Sequence, residues 1–355
     1  MARNTLAACG LVTASIALGA CCPPGAPCQE TTTPPEPPRW RAVLDAQDLD
    51  SAALTVWGAS SEMVMVAGGQ VGNGGESLVL RLANGEWKRL HPGGTETFWG
   101  MHGSGENDVW MAGDQGRILH WNGSGFDDHR MNTTATIWGV FAFAPDNVWA
   151  VGGSPDKGTT APNDLVFHYD GSTWTQETLP GEPRGVALLK LWGTSADNLY
   201  VVGEAGTIWH RTATGWTLES EQDGPPLAQG TLFSVNGCGP DRVYAAGGQD
   251  VLKFDGQTWS KVDVKLRSSA SAVTCGPNGA AVAGFGGMKL REVDGTFVDE
   301  SRQQPYVDLH GAWTDPQGNI WAAGGDWVTG AVAGARREGV LARWGSGRVS
   351  DSVAP

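Results

Sequence analysis

From Trp40 onward, short apolar runs alternate with glycine-rich polar turns, and the alternation repeats itself along the chain. Two anchors recur. The first is a glycine closing an apolar run, at Gly68, Gly113, Gly152, Gly203, Gly247, Gly284 and Gly324. These glycines are on average about 43 residues apart, within the 40–45 range of four-stranded repeats. Three residues before each stands Met65, Trp110, Trp149, Tyr200, Tyr244, Ala281 or Trp321. Further upstream comes an aromatic-glycine step: Trp57-Gly58, Trp99-Gly100, Trp138-Gly139 and Trp192-Gly193. Trp313 keeps this place without the glycine, and Asn236 and Val273 replace the Trp.

The second anchor is a strand, a tight turn and an aromatic. It runs Leu80–Trp87, Leu119–Phe126, Phe167–Trp174, Trp209–Trp216, Leu252–Trp259, Leu290–Phe297 and, without the final aromatic, Leu341–Val349. Asn-Gly and Asp-Gly pairs inside these segments are hairpin signals, because the central residues of a type I′ turn need positive φ. Each unit therefore holds four strands. Strand a passes through the aromatic-glycine step, strand b ends at the repeat glycine, and strands c and d form a hairpin. Seven such units predict an all-β chain, a seven-bladed β-propeller of four-stranded antiparallel blades. Two segments compete to complete blade 7 as its strand d: Trp40–Leu44 and Arg348–Val353. Trp40–Leu44 is favoured, because it joins both chain ends in one blade.

Composition fits this picture. There are 52 Gly among 355 residues, and 17 Trp against 9 Phe and 4 Tyr. Flat Trp rings suit the filling between stacked sheets, so packing between blades is the expected role of nearly every Trp. The net charge of −14, with no Lys/Arg cluster, argues against a nucleic-acid partner.

The first 39 residues differ from the rest. Thr5–Ala20 is a short apolar run of signal-peptide type, ending Leu18-Gly19-Ala20-Cys21. That ending resembles a bacterial lipobox. The resemblance implies cleavage before Cys21, lipidation of Cys21 and attachment to a membrane through the acyl chains. Cys22 in the next position leans toward the outer membrane. The Pro/Thr-rich segment after it reads as a tether. The domain reading is thus 1–20 signal peptide, 21–39 tether and 40–355 propeller. The repeat resembles the Trp-rich propellers of exported myxobacterial-type lipoproteins and is more distantly similar to kelch and WD40 propellers. Asp170-Gly171-Ser172-Thr173-Trp174 is similar to the Asp-box of sialidase-like propellers but lacks the residue between Asp and Gly.

Candidate chemistry is sparse. His120, His168 and His210 share one position on strand c, filled elsewhere by Arg81, Lys253 and Arg291. They read as solvent-facing residues on separate blades rather than metal ligands. Asp127-Asp128-His129 reads as an outer-strand polar segment, so no metal is expected. No cofactor motif, nucleophile elbow or C-x-x-C occurs. A sialidase-like enzyme would need an Arg cluster, an Asp and a Tyr–Glu pair at the channel mouth, and only Tyr306 is free of the repeat to serve. Cys238 and Cys275 hold equivalent positions in neighbouring blades and form a candidate disulfide.

The long connections, those between strands b and c and between d and the next a, fall on one face, and binding is expected there. Trp327, which the repeat does not place, lies near Arg336 and Arg337. With Asn73, Arg184 and Tyr306 they are the candidate ligand contacts. The expected function is a non-catalytic binding or scaffold module in the cell envelope, a monomer with a protein or glycan partner. A glycan-active hydrolase or lyase is the alternative.

Overall fold

The structure is a computed structural model that describes residues 36–72, 74–154, 162–221, 227–326 and 338–354. Cys21 and the other residues of the signal-peptide and early tether readings lie outside the described residues, as do Asn73, Trp327, Arg336 and Arg337.

Seven antiparallel sheets of a–b–c–d order form a ring. The inner strands a are Ala53–Ser60, Phe98–Gly105, Thr136–Ala144, Leu188–Ser195, Ser234–Gly239, Ala270–Gly276 and Leu309–Thr314. Each strand a packs beside the next, and the last returns to the first. One four-residue α-helix, Ala46–Leu49, is present among the described residues. The fold expectation therefore holds in blade number, strand number and pairing sense.

The repeat glycines have a common physical cause. A Cβ at any of them would collide with a backbone carbonyl at the entry to strand a of the same blade: Ala52, Thr97, Thr136, Ala187, Thr231, Ser269 or Asp308. In several blades that carbonyl accepts the N–H of the residue after the glycine, as Thr97 does from Asp114 and Asp308 from Gly325. Close approach of two backbones is what excludes a side chain here.

Blade 7 is completed by the first strand of the chain. Arg39–Leu44 pairs antiparallel with Gly339–Gly345, so the Trp40–Leu44 reading is the one realised. The C-terminus takes a different place. Val353–Ala354 adds a parallel fifth strand outside blade 1, beside Trp87 and Lys88. The Trp87 indole N–H donates to the Ser350 carbonyl, 3.0 Å away.

The strand b aromatics carry the packing between blades. Trp110, Trp149, Trp321, Tyr200 and Tyr244 are essentially inaccessible. Each faces a residue of strand c across the ladder, and here the sequence reading needs correction. His120, His168 and His210 are not solvent-facing. They stack on Trp110, Trp149 and Tyr200 at 4.1, 4.4 and 4.1 Å between ring centroids. Their Nε2 atoms bond Asp108, Asn147 and Asn198 at the start of strand b. In other blades a cation takes the same place: Lys253 over Tyr244 and Arg343 over Trp321. Where strand b offers no ring (Met65, Ala281), the position holds an arginine that reaches another blade's indole. Arg81 lies over Trp121 and Arg291 over Trp344. The position is polar because its edge needs a partner, and flat or cationic because its neighbour is a π-face.

Cys238 and Cys275 are bonded to each other, with Cα atoms 5.2 Å apart. They tie the inner strands of blades 5 and 6 near the a–b end of the channel. Asp170, in the segment similar to an Asp-box, accepts the N–H groups of Ser172 and Thr173 and so shapes its own turn.

Candidate ligand-binding cup

Strand a of each blade starts at the face carrying the d–a and b–c connections, and at that start the ladder slips. In six blades one extra residue bulges from strand a: Leu54, Trp99, Trp138, Leu189, Ser271 and His310. In blade 5 Phe233 stands at the corresponding place, immediately before the strand. A bulge re-aims its side chain. All seven side chains line one cavity of about 650 Å³ at the channel mouth, completed by Lys190, Glu204, Thr231, Phe285 and Asp308. Below it the channel continues as a second cavity of about 250 Å³, lined by the inner strands.

The walls of this cup are mainly apolar. The Trp99 and Trp138 rings lie 4.8 Å apart. Their indole N–H groups are turned away into hydrogen bonds, to the Asp114 carboxylate at 2.9 Å and the Gly153 carbonyl at 2.8 Å. His310 makes the equivalent bond to the Gly325 carbonyl, at 3.0 Å. Burial lowers the His310 pKa, against the opposing pull of that carbonyl, Asp308 and Asp326. Glu204 and Asp308 are engaged by the backbone N–H groups of Ala187 and Gly286.

Trp99 and Trp138 correct the sequence reading of the aromatic-glycine step. That step covers two structural positions three residues apart. Trp57, Trp192 and Trp313 sit deeper in strand a, opposite Met65, Tyr200 and Trp321. Their rings press on glycines of the following blade, Gly103, Gly237 and Gly58, where a Cβ would clash with the indole. These three fill space between blades, as expected of a Trp. His102 and Phe141 hold that deeper place in blades 2 and 3, and stack 3.8 Å apart. Burial pushes the His102 pKa down to about 3, so its ring is neutral, and its Nδ1 accepts the Ala142 N–H. Trp99 and Trp138, displaced to the bulge, face the cup instead.

Lys190 was not singled out from the sequence. It follows the bulge in blade 4, and the equivalent residues elsewhere are Thr55, Gly100, Gly139, Ser234, Ala272 and Gly311. One long cation thus stands in a ring of small residues. Its Nζ reaches two neighbouring blades, donating to the Trp99 and Trp138 carbonyls at 2.6 and 2.8 Å. Lys190 borders both cavities, and no other lysine or arginine among the described residues lines either. Burial lowers its pKa to about 7.

Of the candidate contacts, Arg184 lies in the connection from blade 3 to blade 4 and Tyr306 in that from blade 6 to blade 7, on the same face as the cup. Neither lines it. Tyr306 is 57% exposed, and its hydroxyl donates to the Arg302 carbonyl. No group of three or more His, Cys, Asp or Glu side chains suited to a metal ion occurs among the described residues.

Fold and site together define a seven-bladed propeller with an apolar cup at one end of its channel. No protein-family model matches the chain, and no curated protein matches it. Solved structures do. The chain is similar to a streptogramin B lyase at a TM-score of 0.66 and 14% identity, over 88% of this chain and 98% of that one. The WD40 propeller domain of Doa1 is similar at 0.63 and 10%, over 85% and 96%. YCF48 bound to D1 peptide is similar at 0.60 and 13%, over 87% and 97%. At these identities the likeness is one of fold.

Proposed function

We propose that the chain is a non-catalytic binding propeller whose cup receives an apolar, aromatic-sized group of a protein partner. The observation that carries this reading is the ring of seven side chains, six of them re-aimed by a bulge, around one apolar cavity. A blade has no packing need to turn Trp99 and Trp138 outward. Exposed apolar groups near the mouth support it. Leu227, Phe233 and Tyr306, three of the four large exposed apolar side chains among the described residues, lie in d–a connections of this face. A peptide fits better than a glycan, because the surface the cup exposes is mainly apolar and offers little to meet hydroxyls. YCF48, a propeller seen with a D1 peptide, is a precedent at the level of fold.

The lyase neighbour keeps the enzyme alternative in view at the same level. Against it, the two carboxylates of the cup are held by backbone N–H groups, and no Arg or Tyr lines the cup beside them. Titration with the neutral solvatochromic dye Nile red tests the binding reading. Trp99→Ala with Trp138→Ala is expected to weaken dye binding by about tenfold or more and leave the fold intact. Equal affinity in mutant and wild type overturns it. We further propose that lipidation at Cys21 holds the propeller at the envelope, at the outer membrane. Cys21→Ala should then accumulate as unprocessed precursor. A cleaved and still acylated mutant would refute this.

A further inference from the structure

The cup has a reactive floor. Lys190 stands where six other blades place Thr, Gly, Ser or Ala, and it spans the space those residues leave. Two carbonyls, of Trp99 and Trp138, accept from its Nζ. A neutral amine has two N–H donors, so these two acceptors use both and leave the lone pair without a partner. Lys190 lines the cup above and the channel below. The walls around it are apolar, and the charged or titratable groups of the two cavities are Glu204, Asp308, His310 and His102. The first three make backbone hydrogen bonds, and His102 accepts one.

We propose that Lys190 captures aromatic aldehydes reversibly as an imine at the floor of the cup. The inference rests on the cup being a binding site and names the chemistry of one ligand class for it. The Nζ lone pair attacks the carbonyl carbon while a proton passes from nitrogen to oxygen, giving a carbinolamine. Loss of water leaves the C=N bond, so amine and aldehyde give imine and water with no redox partner. Apolar walls favour the aromatic body of such a ligand and disfavour the water that hydrolyses the imine.

Desolvation supports the same step. With a pKa near 7, Lys190 has a neutral fraction about a thousand times that of an ordinary lysine at pH 7. Lys289 is the built-in control. Its Nζ also donates to two carbonyls, of Gly287 and Pro305, and burial lowers its pKa to about 8. Lys289 has no accessible surface and lines neither cavity. If low basicity alone decided reactivity, both lysines would react.

The test uses 6-methoxy-2-naphthaldehyde with cyanoborohydride at pH 7.5, followed by peptide mapping of the wild-type propeller. Label is expected on Lys190 with at least about tenfold preference over every other lysine, Lys289 included. Label spread over surface lysines, with Lys190 favoured no more than they are, overturns the proposal. So does equal labelling of Lys289. Lys190→Met should abolish the imine absorbance, and if that variant fails to fold, the wild-type map decides alone. 2-Methoxynaphthalene, which has no carbonyl, separates the two claims. Binding of this compound without imine formation by the aldehyde sinks the lysine proposal and spares the cup. Absence of binding by either compound sinks both.

Discussion

The two ends of the central channel are built by different rules. At the a–b end, connections are short, Trp57, Trp192 and Trp313 wedge onto glycines of the next blade, and a disulfide ties blades 5 and 6. At the d–a end the ladders bulge, side chains turn into open space, and a lysine replaces a small residue. Both ends use tryptophan from the same aromatic-glycine step. Three residues of displacement along strand a decide whether the ring fills a seam or lines a cup. One end invests its aromatic surface in holding the ring, and the other leaves it available.

The contrast can be broken by substitution. Trp57→Ala removes a buried wedge and should cost roughly 3–5 kcal/mol, seen in denaturant unfolding, with dye affinity unchanged where the protein remains folded. Cys238→Ser with Cys275→Ser opens a link across 37 residues and should cost roughly 3 kcal/mol by the same measurement. If either change weakened cup binding in the folded protein as much as Trp99→Ala does, the two ends would not be separable. Trp99→Ala should move stability by only about 1 kcal/mol, since its ring is partly exposed, while dye binding falls about tenfold.

A further effect is one of pH. Lys190 has a folded pKa of about 7, below its unfolded value of roughly 10.4. Between those values the unfolded chain holds a proton that the folded chain has released, so this group makes stability rise with pH. Below pH 7 both states are protonated and the contribution is flat. Melting curves at pH 6.5 and 9.5 should show wild type gaining on Lys190→Met. Parallel pH profiles would mean that the ammonium is solvated, and the floor of the cup ordinary.

Much of the architecture was legible from repeats, because the glycines that announce it answer a backbone collision that every blade shares. The strand c histidines were legible as a position but not as an environment. Alternation marks His120 as turned away from its apolar neighbours, yet it does not reveal that Trp110 supplies a face to cover it. The cup was hidden because a bulge leaves no composition signal: Trp99-Gly100 and Trp57-Gly58 look alike in the sequence. Their distances to the repeat glycine differ by three residues, and that difference carried the information. Lys190 had a signal as well. It is a charge within the apolar run Ala187–Trp192, at a place where other blades are small.

The closure of blade 7 sets an order of events during synthesis. Arg39–Leu44 emerges before any blade, but its ladder partner, Gly339–Gly345, emerges after strands a–d of the other six blades. Until then the opening strand is a loose end and the final interface between blades is missing. Six blades can form as each hairpin appears, in sequence and locally, while the ring remains an open arc. The contact that joins residues some 300 positions apart comes after nearly everything else, and such distant pairing is slow. The ring can therefore be sealed only once Gly339–Gly345 is available, with Arg39–Leu44 as the latch.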